Sequence, residues 1–456
     1  MKPIAAARRP LLQVLALAGA LVAPGCGGDS DGGGAPPTFN FAWDLVGIVG
    51  TGQSLSVGAL GTPVIANTQP YSNLKLSFGG ATVVPPFDPS LASLSLVPLT
   101  EPLRPTATSY PSAYPANLYG ETPHAAMANQ LTAMAMAQAS HDYVSVHTVV
   151  GESGQPMTVI KKNPTNLPVD GTSGRAYDAT LFEVAAIKRL AGDRSYGIGA
   201  IVVTHGESDA GNTNYANDLF QLLTDYNTDL AMLTGQTAKI PMFVSQQNSV
   251  PETNGMVSIS ALQVLKASVD HPGEIVCTGP KYQYSYMTDS AHVHLPPQEY
   301  ERLGEKTAQV YFERVVLGHD WQPLRPLSAE RTASKVTVHF HVPVPPLDWD
   351  DLLPPPHGLM IPQWEMGRGF EVLVAGTRQT ITGVQIVGGD TVEITCAGDL
   401  NAGEVVVGYA ATAEGGTPPT AQTARWGHLR DSDKFKGTVT NTEQPNYCVA
   451  FQMTIP

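Results

Sequence analysis

The feature that most constrains the fold is a regular alternation of two kinds of segment between residues 41 and 317. Short apolar runs rich in β-branched residues are typical of strands buried on both faces, and four occur, at 45–49, 144–150, 198–204 and 241–245. Segments with helical character lie between and after them, at 124–139, 179–191, 215–233 and 297–316. Strands that alternate with helices predict βαβ units and a parallel sheet, in which ligands bind beyond the carboxyl ends of the strands.

One long segment, residues 85–123, interrupts this alternation. It is rich in Pro and Ser and contains Tyr110, Tyr114 and Tyr119. A connection of this length inside a compact domain is usually either functional or without fixed structure. Two interpretations stay open: a loop that lines a pocket with aromatic side chains, or an insertion on the surface.

The pattern changes after a proline-containing junction at residues 321–326. Val336 and Val338 alternate with polar residues, as in a half-exposed strand, and further short strands separated by Gly and Asp turns follow. We therefore predict an all-β sandwich over residues 327–456, behind an α/β domain over residues 41–322. The role of the sandwich is left open between substrate binding, surface binding and packing against the first domain.

The N-terminus has the features of a targeting segment. A basic region at 2–9 precedes an apolar run at 11–22, which is too short to span a bilayer as a helix, and Cys26 follows. The segment 1–26 resembles a bacterial lipoprotein signal, in which Cys26 is lipidated and becomes the mature N-terminus; an ordinary secretory signal is the alternative. Residues 27–40 predict a flexible tether. The protein is expected outside the cytoplasm, either anchored to a membrane through Cys26 or secreted.

The other cysteines allow two predictions. Cys396 and Cys448 both lie in the C-terminal region and could form a disulfide in an oxidising compartment. Cys277 belongs to an apolar run and has no evident partner, which predicts a buried core thiol.

Composition excludes some partners. The 456 residues suffice for two domains, and with 42% hydrophobic residues the chain can bury a sizeable core. A net charge of −14 argues against nucleic acid as a partner.

No residue set has zinc spacing and no glycine loop carries a phosphate-binding lysine, so we expect neither a metal nor a nucleotide cofactor. His339 and His341 would share a strand face but lack a third ligand, which predicts a solvated face. The oligomeric state is left open.

Ser54 is the first residue that could do chemistry. It follows Gly50 and Gly52 directly after the apolar run 45–49. Glycines allow a sharp turn that presents the hydroxyl at a helix start, where free N–H groups favour a developing oxyanion. The alternative is a serine that caps a helix in a tight turn.

Two further polar stretches follow predicted strands. In the first, residues 151–155, the glycine at Gly154 would let a backbone N–H approach a substrate oxygen. In the second, residues 205–209, His205 could donate to an oxyanion and Glu207 could orient neighbouring loops by accepting backbone N–H bonds. An ordinary turn and a helix N-cap are the respective alternatives.

A third stretch contains Asp289, His292 and His294 and precedes a predicted helix at Pro297. An Asp three residues before a His lets the carboxylate reach one imidazole nitrogen while the other faces outward, as a general base requires. His292 has this spacing and is favoured. His294 lies nearer the helix and is the alternative base.

Together the four stretches resemble the SGNH (GDSL-like) hydrolases, in particular the branch of sialate and other carbohydrate O-acetylesterases. The matching blocks, in chain order, are Gly52-Gln53-Ser54, Gly154, His205–Asp209 and Asp289–His292. The resemblance covers residues 41–321, and His205 departs from it because Gln or Asn is usual there.

The resemblance implies a flavodoxin-like three-layer α/β/α domain with Ser54 as nucleophile, supported by Gln53 and Glu207. It implies an oxyanion hole of the Ser54 and Gly154 N–H groups plus a side chain at position 205. The expected function is an exported serine esterase that hydrolyses O-acetyl groups on carbohydrate, a small molecule or a polysaccharide, through an acyl-enzyme. Contact with a membrane would be only through the lipid anchor. Two alternatives stay open: a surface binding or adhesion protein on a hydrolase scaffold, and a lipase or thioesterase of the same fold.

Overall fold

The computed structural model describes residues 38–456 apart from short segments at 81–82, 84, 104–119, 164–173, 250–256, 288–292, 359–360, 402, 414–424 and 456. Residues 39–456 form one compact unit. Several sequence predictions lie outside the described residues: the signal with Cys26, the tether up to residue 37, the three loop tyrosines, Asp289 and His292. No helix in the described part of the chain is long and apolar enough to cross a membrane.

A seven-stranded sheet forms the centre of the first region. Its strands are β1 (Leu45–Gly52), β2 (Leu74–Ser77), β3 (Ser95–Pro98), β4 (Ser145–Val149), β5 (Tyr196–Thr204), β6 (Met242–Gln246) and β7 (Ile275–Pro280). The spatial order is β3-β2-β4-β1-β5-β6-β7, and every pair is parallel except β2 and β3. Five strands are buried at every residue, as expected for strands covered by helices on both faces; they are β1, β4, β5, β6 and β7.

Helices cover both faces of this sheet. They are α1 (Pro123–Ala139), α2 (Met157–Ile160), α3 (Arg175–Leu190), α4 (Tyr215–Thr234), α5 (Ile259–Asp270) and α6 (Pro297–Tyr311), which continues as a π-helical turn at Phe312–Val316. Side chains of β5 alternate between the two faces: Ile201 and Val203 pack with α3, α4 and α5, whereas Ala200 and Val202 pack with α1 and α6. The predicted three-layer α/β/α fold is therefore confirmed.

Helices α1 and α6 pack side by side because Gly304 lacks a side chain. A Cβ on Gly304 would lie 2.0 Å from the Pro123 carbonyl oxygen and 3.0 Å from the Met127 nitrogen. The start of α1 is fixed by Thr122, whose hydroxyl accepts the His124 N–H at 3.2 Å. The close contact at Gly304 thus packs α1, which follows the long loop, against α6, which follows the predicted base segment.

Five elements of the α/β region are absent from the sequence interpretation, and one of them is the four-residue helix α2. Strands β2 and β3 are short and partly exposed at the sheet edge, so they lack the long apolar signature of the inner strands. Strand β3 lies within the segment 85–123, which the sequence presents as a connection. Strand β7 contains Cys277, and helix α5 is a twelve-residue helix that the sequence pattern does not separate from its surroundings.

The C-terminal region is antiparallel. Its strands are β8 (Arg325–Thr332), β9 (Lys335–His341), β10 (Asp348–Trp349), β11 (Phe370–Val374), β12 (Thr377–Arg378), β13 (Ile381–Ile386), β14 (Thr391–Cys396), β15 (Val405–Tyr409), β16 (Leu429–Arg430) and β17 (Phe451–Ile455). Two four-stranded sheets, β12-β11-β15-β17 and β13-β14-β9-β8, enclose one core, and β10 pairs with β16. Val336 and Val338 are buried in that core, as the alternation predicted.

The two regions share hydrophobic core, and side chains of the first region hydrogen-bond to the backbone of the second. Tyr282 and Leu324 pack into the core of the antiparallel region, and the Tyr282 hydroxyl donates to the Cys448 carbonyl at 2.6 Å. The buried Gln246 amide accepts the Ala450 N–H at 2.8 Å and donates to the Ala450 carbonyl at 2.9 Å. The antiparallel region is thus continuous with the first region rather than a freely separable unit.

A polar interface extends this contact along α6. The Glu305 carboxylate accepts the N–H groups of Val439 at 2.8 Å and Thr440 at 2.9 Å. Gln309 donates to Asp433 at 2.7 Å, so the loop after β16 also contacts α6.

The three described cysteines are buried and free. A disulfide between Cys396 and Cys448 is therefore not formed, which corrects the possibility raised by their position in the sequence. Cys277 is a buried core thiol, as predicted, and burial raises its pKa to about 12.

Replacing Gln246 with Leu should weaken the junction between the two regions. Leucine fills a similar volume but leaves the Ala450 N–H and carbonyl buried without partners, at a cost of about 1–3 kcal/mol for each group. We expect a melting temperature several degrees lower in thermal denaturation. Gln221→Leu on the exposed face of α4 is the control and should melt with the wild type. Equal melting of both variants would contradict this account of the junction.

Candidate active site

Strands β1, β5, β6 and β7 end at one edge of the sheet. Gly52 at the end of β1 pairs with Thr204 at the end of β5, and Gln246 of β6 pairs with Pro280 of β7. The loops that leave these strands therefore converge, as the sequence interpretation expects for a parallel sheet.

Ser54 begins a 3-10 turn, Ser54–Val57, at this edge and is 6% exposed. The turn depends on Gly52, whose φ is 137° and whose Cβ, if present, would lie 2.1 Å from the Thr204 carbonyl oxygen. Gln53 rather than Ser54 occupies the capping position. Within the described part of the chain no residue makes a hydrogen bond to Ser54 Oγ, so the serine does not act as a cap and its hydroxyl is available.

Gln53 connects the Ser54 turn to the loop after β5. Its amide oxygen accepts the Ser208 N–H at 3.0 Å, and its own N–H donates to the Thr204 carbonyl at 3.2 Å. The serine turn is therefore held against the neighbouring strand end through both side chain and backbone.

The loop after β4 reaches the same turn through Glu152. Its N–H donates to the Gly52 carbonyl at 3.0 Å, and its carboxylate accepts two hydrogen bonds from Arg175, at 2.7 and 3.0 Å. Gly154 lies two residues further in an exposed turn with a φ of 73°, and a side chain there would meet open space. Its N–H as an oxyanion donor stays a prediction.

His205 is fully buried, and both ring nitrogens have partners. Nε2 donates to the Gln155 carbonyl at 3.0 Å, and Nδ1 lies 2.9 Å from the Tyr215 hydroxyl. Burial lowers the pKa of His205, which favours the neutral ring that accepts the tyrosine hydrogen bond. In this arrangement the one N–H of the neutral ring is given to Gln155, and the role of His205 as an oxyanion donor stays a prediction.

Glu207 is buried after β5 and forms an ion pair with Lys281, which directly follows β7. The sequence predicted a different role, in which Glu207 accepts backbone N–H groups. Its second oxygen has no partner among the described residues. Lys281 was not singled out from the sequence, because its partner lies 74 residues away and no local pattern marks it.

The segment with the predicted base is described only at its two ends. Met287 donates its N–H to the His294 carbonyl at 2.8 Å, so residues on either side of 288–292 are adjacent. Tyr286 and Leu295 pack in one buried cluster with Leu55, the residue after Ser54. The structure therefore brings both ends of this segment next to the serine turn, with His294 half-buried.

A buried histidine pair lies behind the serine strand. Nδ1 of His124 and Nδ1 of His147 are 3.0 Å apart, and His124 closely approaches Gly50. Burial lowers the pKa of His124 to about 3 and keeps the pair neutral. Across the part of the chain that the structure describes, no group of three or more His, Cys, Asp or Glu residues could hold a metal ion.

No family model matches the sequence, and no curated protein is significantly similar to it. The structure is similar to that of a carbohydrate acetylesterase from Xanthomonas citri, with a TM-score of 0.54 and 11% identity over 90% of this chain and 80% of that chain. This likeness confirms the expected fold, an α/β region followed by a β-rich region.

Two other solved structures align with smaller parts of the chain. A protein from Arabidopsis thaliana has a TM-score of 0.40 and 18% identity over 61% of this chain and 100% of its own. A carbohydrate acetylesterase from Sinorhizobium meliloti has a TM-score of 0.29 and 12% identity over 58% of this chain and 97% of its own. At these scores neither alignment adds to the fold assignment.

Gly52→Ala should disrupt the serine turn. The new methyl group would collide with the Thr204 carbonyl, and we expect the free energy of unfolding to fall by about 1–3 kcal/mol. Gly211→Ala is a matched control in the loop after β5, because a Cβ there meets nothing within 4 Å. Urea denaturation of the two variants measures the difference; equal free energies would show that position 52 tolerates a side chain.

Proposed function

We propose that the protein is a serine esterase that removes O-acetyl groups from carbohydrate. The observation that carries the proposal is the Ser54 hydroxyl on its glycine-dependent turn, without a hydrogen-bond partner in the described chain, beside the two ends of the segment that contains Asp289 and His292. The carbohydrate part is supported by the likeness in fold to the Xanthomonas citri carbohydrate acetylesterase.

The reaction proceeds in two halves. Ser54 Oγ attacks the ester carbonyl while His292 takes its proton, and Asp289 stabilises the resulting imidazolium. The tetrahedral oxyanion is held by the N–H groups of Ser54 and Gly154. Collapse breaks the bond to the sugar oxygen, which leaves with the proton from His292. Water, activated by the same histidine, then hydrolyses the acetyl-serine and releases acetate and free Ser54.

Alanine substitutions at the proposed triad test the mechanism. Ser54→Ala and His292→Ala should each lower kcat for p-nitrophenyl acetate by at least ~10³-fold, because triad members act as a unit. His294→Ala should lower kcat much less. The reverse ranking of the two histidines would move the base to His294.

The activity of the wild type tests the alternative functions. A wild-type protein that does not hydrolyse esters would favour a binding or adhesion protein. A preference for long acyl chains over acetylated sugars would favour a lipase or thioesterase.

We also propose that the protein is exported and anchored through Cys26. The support is the basic, apolar and cysteine-containing order of residues 1–26. In a bacterial host, metabolic labelling with a fatty acid should mark the wild type and place it in the membrane fraction. Cys26→Ser should lose the label and leave the membrane. Labelling that persists in Cys26→Ser, or a soluble exported wild type without label, would replace the anchor with an ordinary secretory signal.

A further inference from the structure

We propose that Lys281 is a positioning residue of this active site, which acts through its ion pair with Glu207. The inference rests on the proposed function, because it assigns how the serine turn and the base segment are held at a fixed separation. Lys281 is fully buried and Glu207 nearly so, and the pair joins the loop after β5 to the loop after β7.

One side of the pair is connected to the nucleophile through two residues, Ser208 and Gln53. Glu207 is followed by Ser208, whose N–H donates to the Gln53 amide oxygen at 3.0 Å, and Gln53 precedes Ser54 in the chain. A shift of Glu207 would therefore be transmitted to the serine turn.

The other side leads to the base segment. Lys281 starts the 3-10 turn Lys281–Gln283, and its carbonyl accepts the Tyr284 N–H at 3.2 Å. Tyr284 and Tyr286 are buried in the cluster with Leu55. Burial and, to a smaller extent, the Glu207 charge raise the pKa of Tyr286. The hydrogen bond from the Met287 N–H to the His294 carbonyl then joins the two ends of the base segment.

A structural role alone gives a poor account of this pair. Desolvation makes a buried ion pair costly, and well-packed apolar side chains of similar volume commonly replace one without loss of stability. The pair is also sparsely supported, since the second oxygen of Glu207 has no partner among the described residues. Its distinctive property is its place, between the element that carries Ser54 and the element that leads to Asp289 and His292.

The test separates activity from stability. Lys281→Met leaves the Glu207 carboxylate buried without its partner and should lower both the melting temperature and kcat, the latter at least ~10-fold, with KM changed less than ~3-fold. The double variant Lys281→Met with Glu207→Gln removes the uncompensated charge and should recover the melting temperature but not kcat. Recovery of both would reduce the pair to a structural role and overturn the proposal.

Lys306→Met is the matched control. Lys306 is also a buried lysine, 3.6 Å from Asp433, but it joins α6 to the antiparallel region. This variant should lower the melting temperature and leave kcat unchanged. If Lys281→Met does not fold, Glu207→Gln alone supplies the measurement, with a fall in kcat of at least ~3-fold expected and an unchanged kcat refuting the proposal.

Ser54→Ala, measured in parallel, keeps the two hypotheses apart. An inactive wild type, or full activity in Ser54→Ala, contradicts the proposed function itself. A wild type that needs Ser54 but retains kcat in the folded Lys281→Met variant contradicts only the positioning role. Single-turnover release of p-nitrophenol reports the acylation step, and we expect it to slow in Lys281→Met by the same factor as kcat.

Discussion

The carbonyl oxygen of Thr204 occupies the space into which any side chain at position 52 would project. β1 and β5 stay paired as far as Gly52 and Thr204, and with this close approach the chain turns sharply at Gly52. The Gln53 hydrogen bonds, the 3-10 turn and the orientation of Ser54 all follow from it. One missing side chain thus determines how the candidate nucleophile is presented.

The sequence predicts much of this arrangement because its signals are local. The apolar runs around β1, β4, β5 and β6 mark buried parallel strands, and Gly52 before Ser54 marks the turn. Their carboxyl ends must meet at one edge of the sheet, which brings the predicted loops together without further information.

The sequence misses contacts whose partners lie elsewhere in the chain. The ring of His205 is hydrogen-bonded to Gln155 and Tyr215, and no local sequence pattern reveals either contact. The Glu207–Lys281 pair was missed for the same cause. The edge strand β3 was missed because it is short and half-exposed, so its sequence resembles that of a loop.

The junction through Tyr282 has an evolutionary consequence. Tyr282 is adjacent to Lys281, yet its hydroxyl and ring belong to the core of the antiparallel region. An exchange of that region for another by recombination would remove packing from the residue next to the Glu207–Lys281 ion pair. The two regions are therefore expected to diverge together as one inherited unit, and a change in the antiparallel core would require compensation in the α/β region.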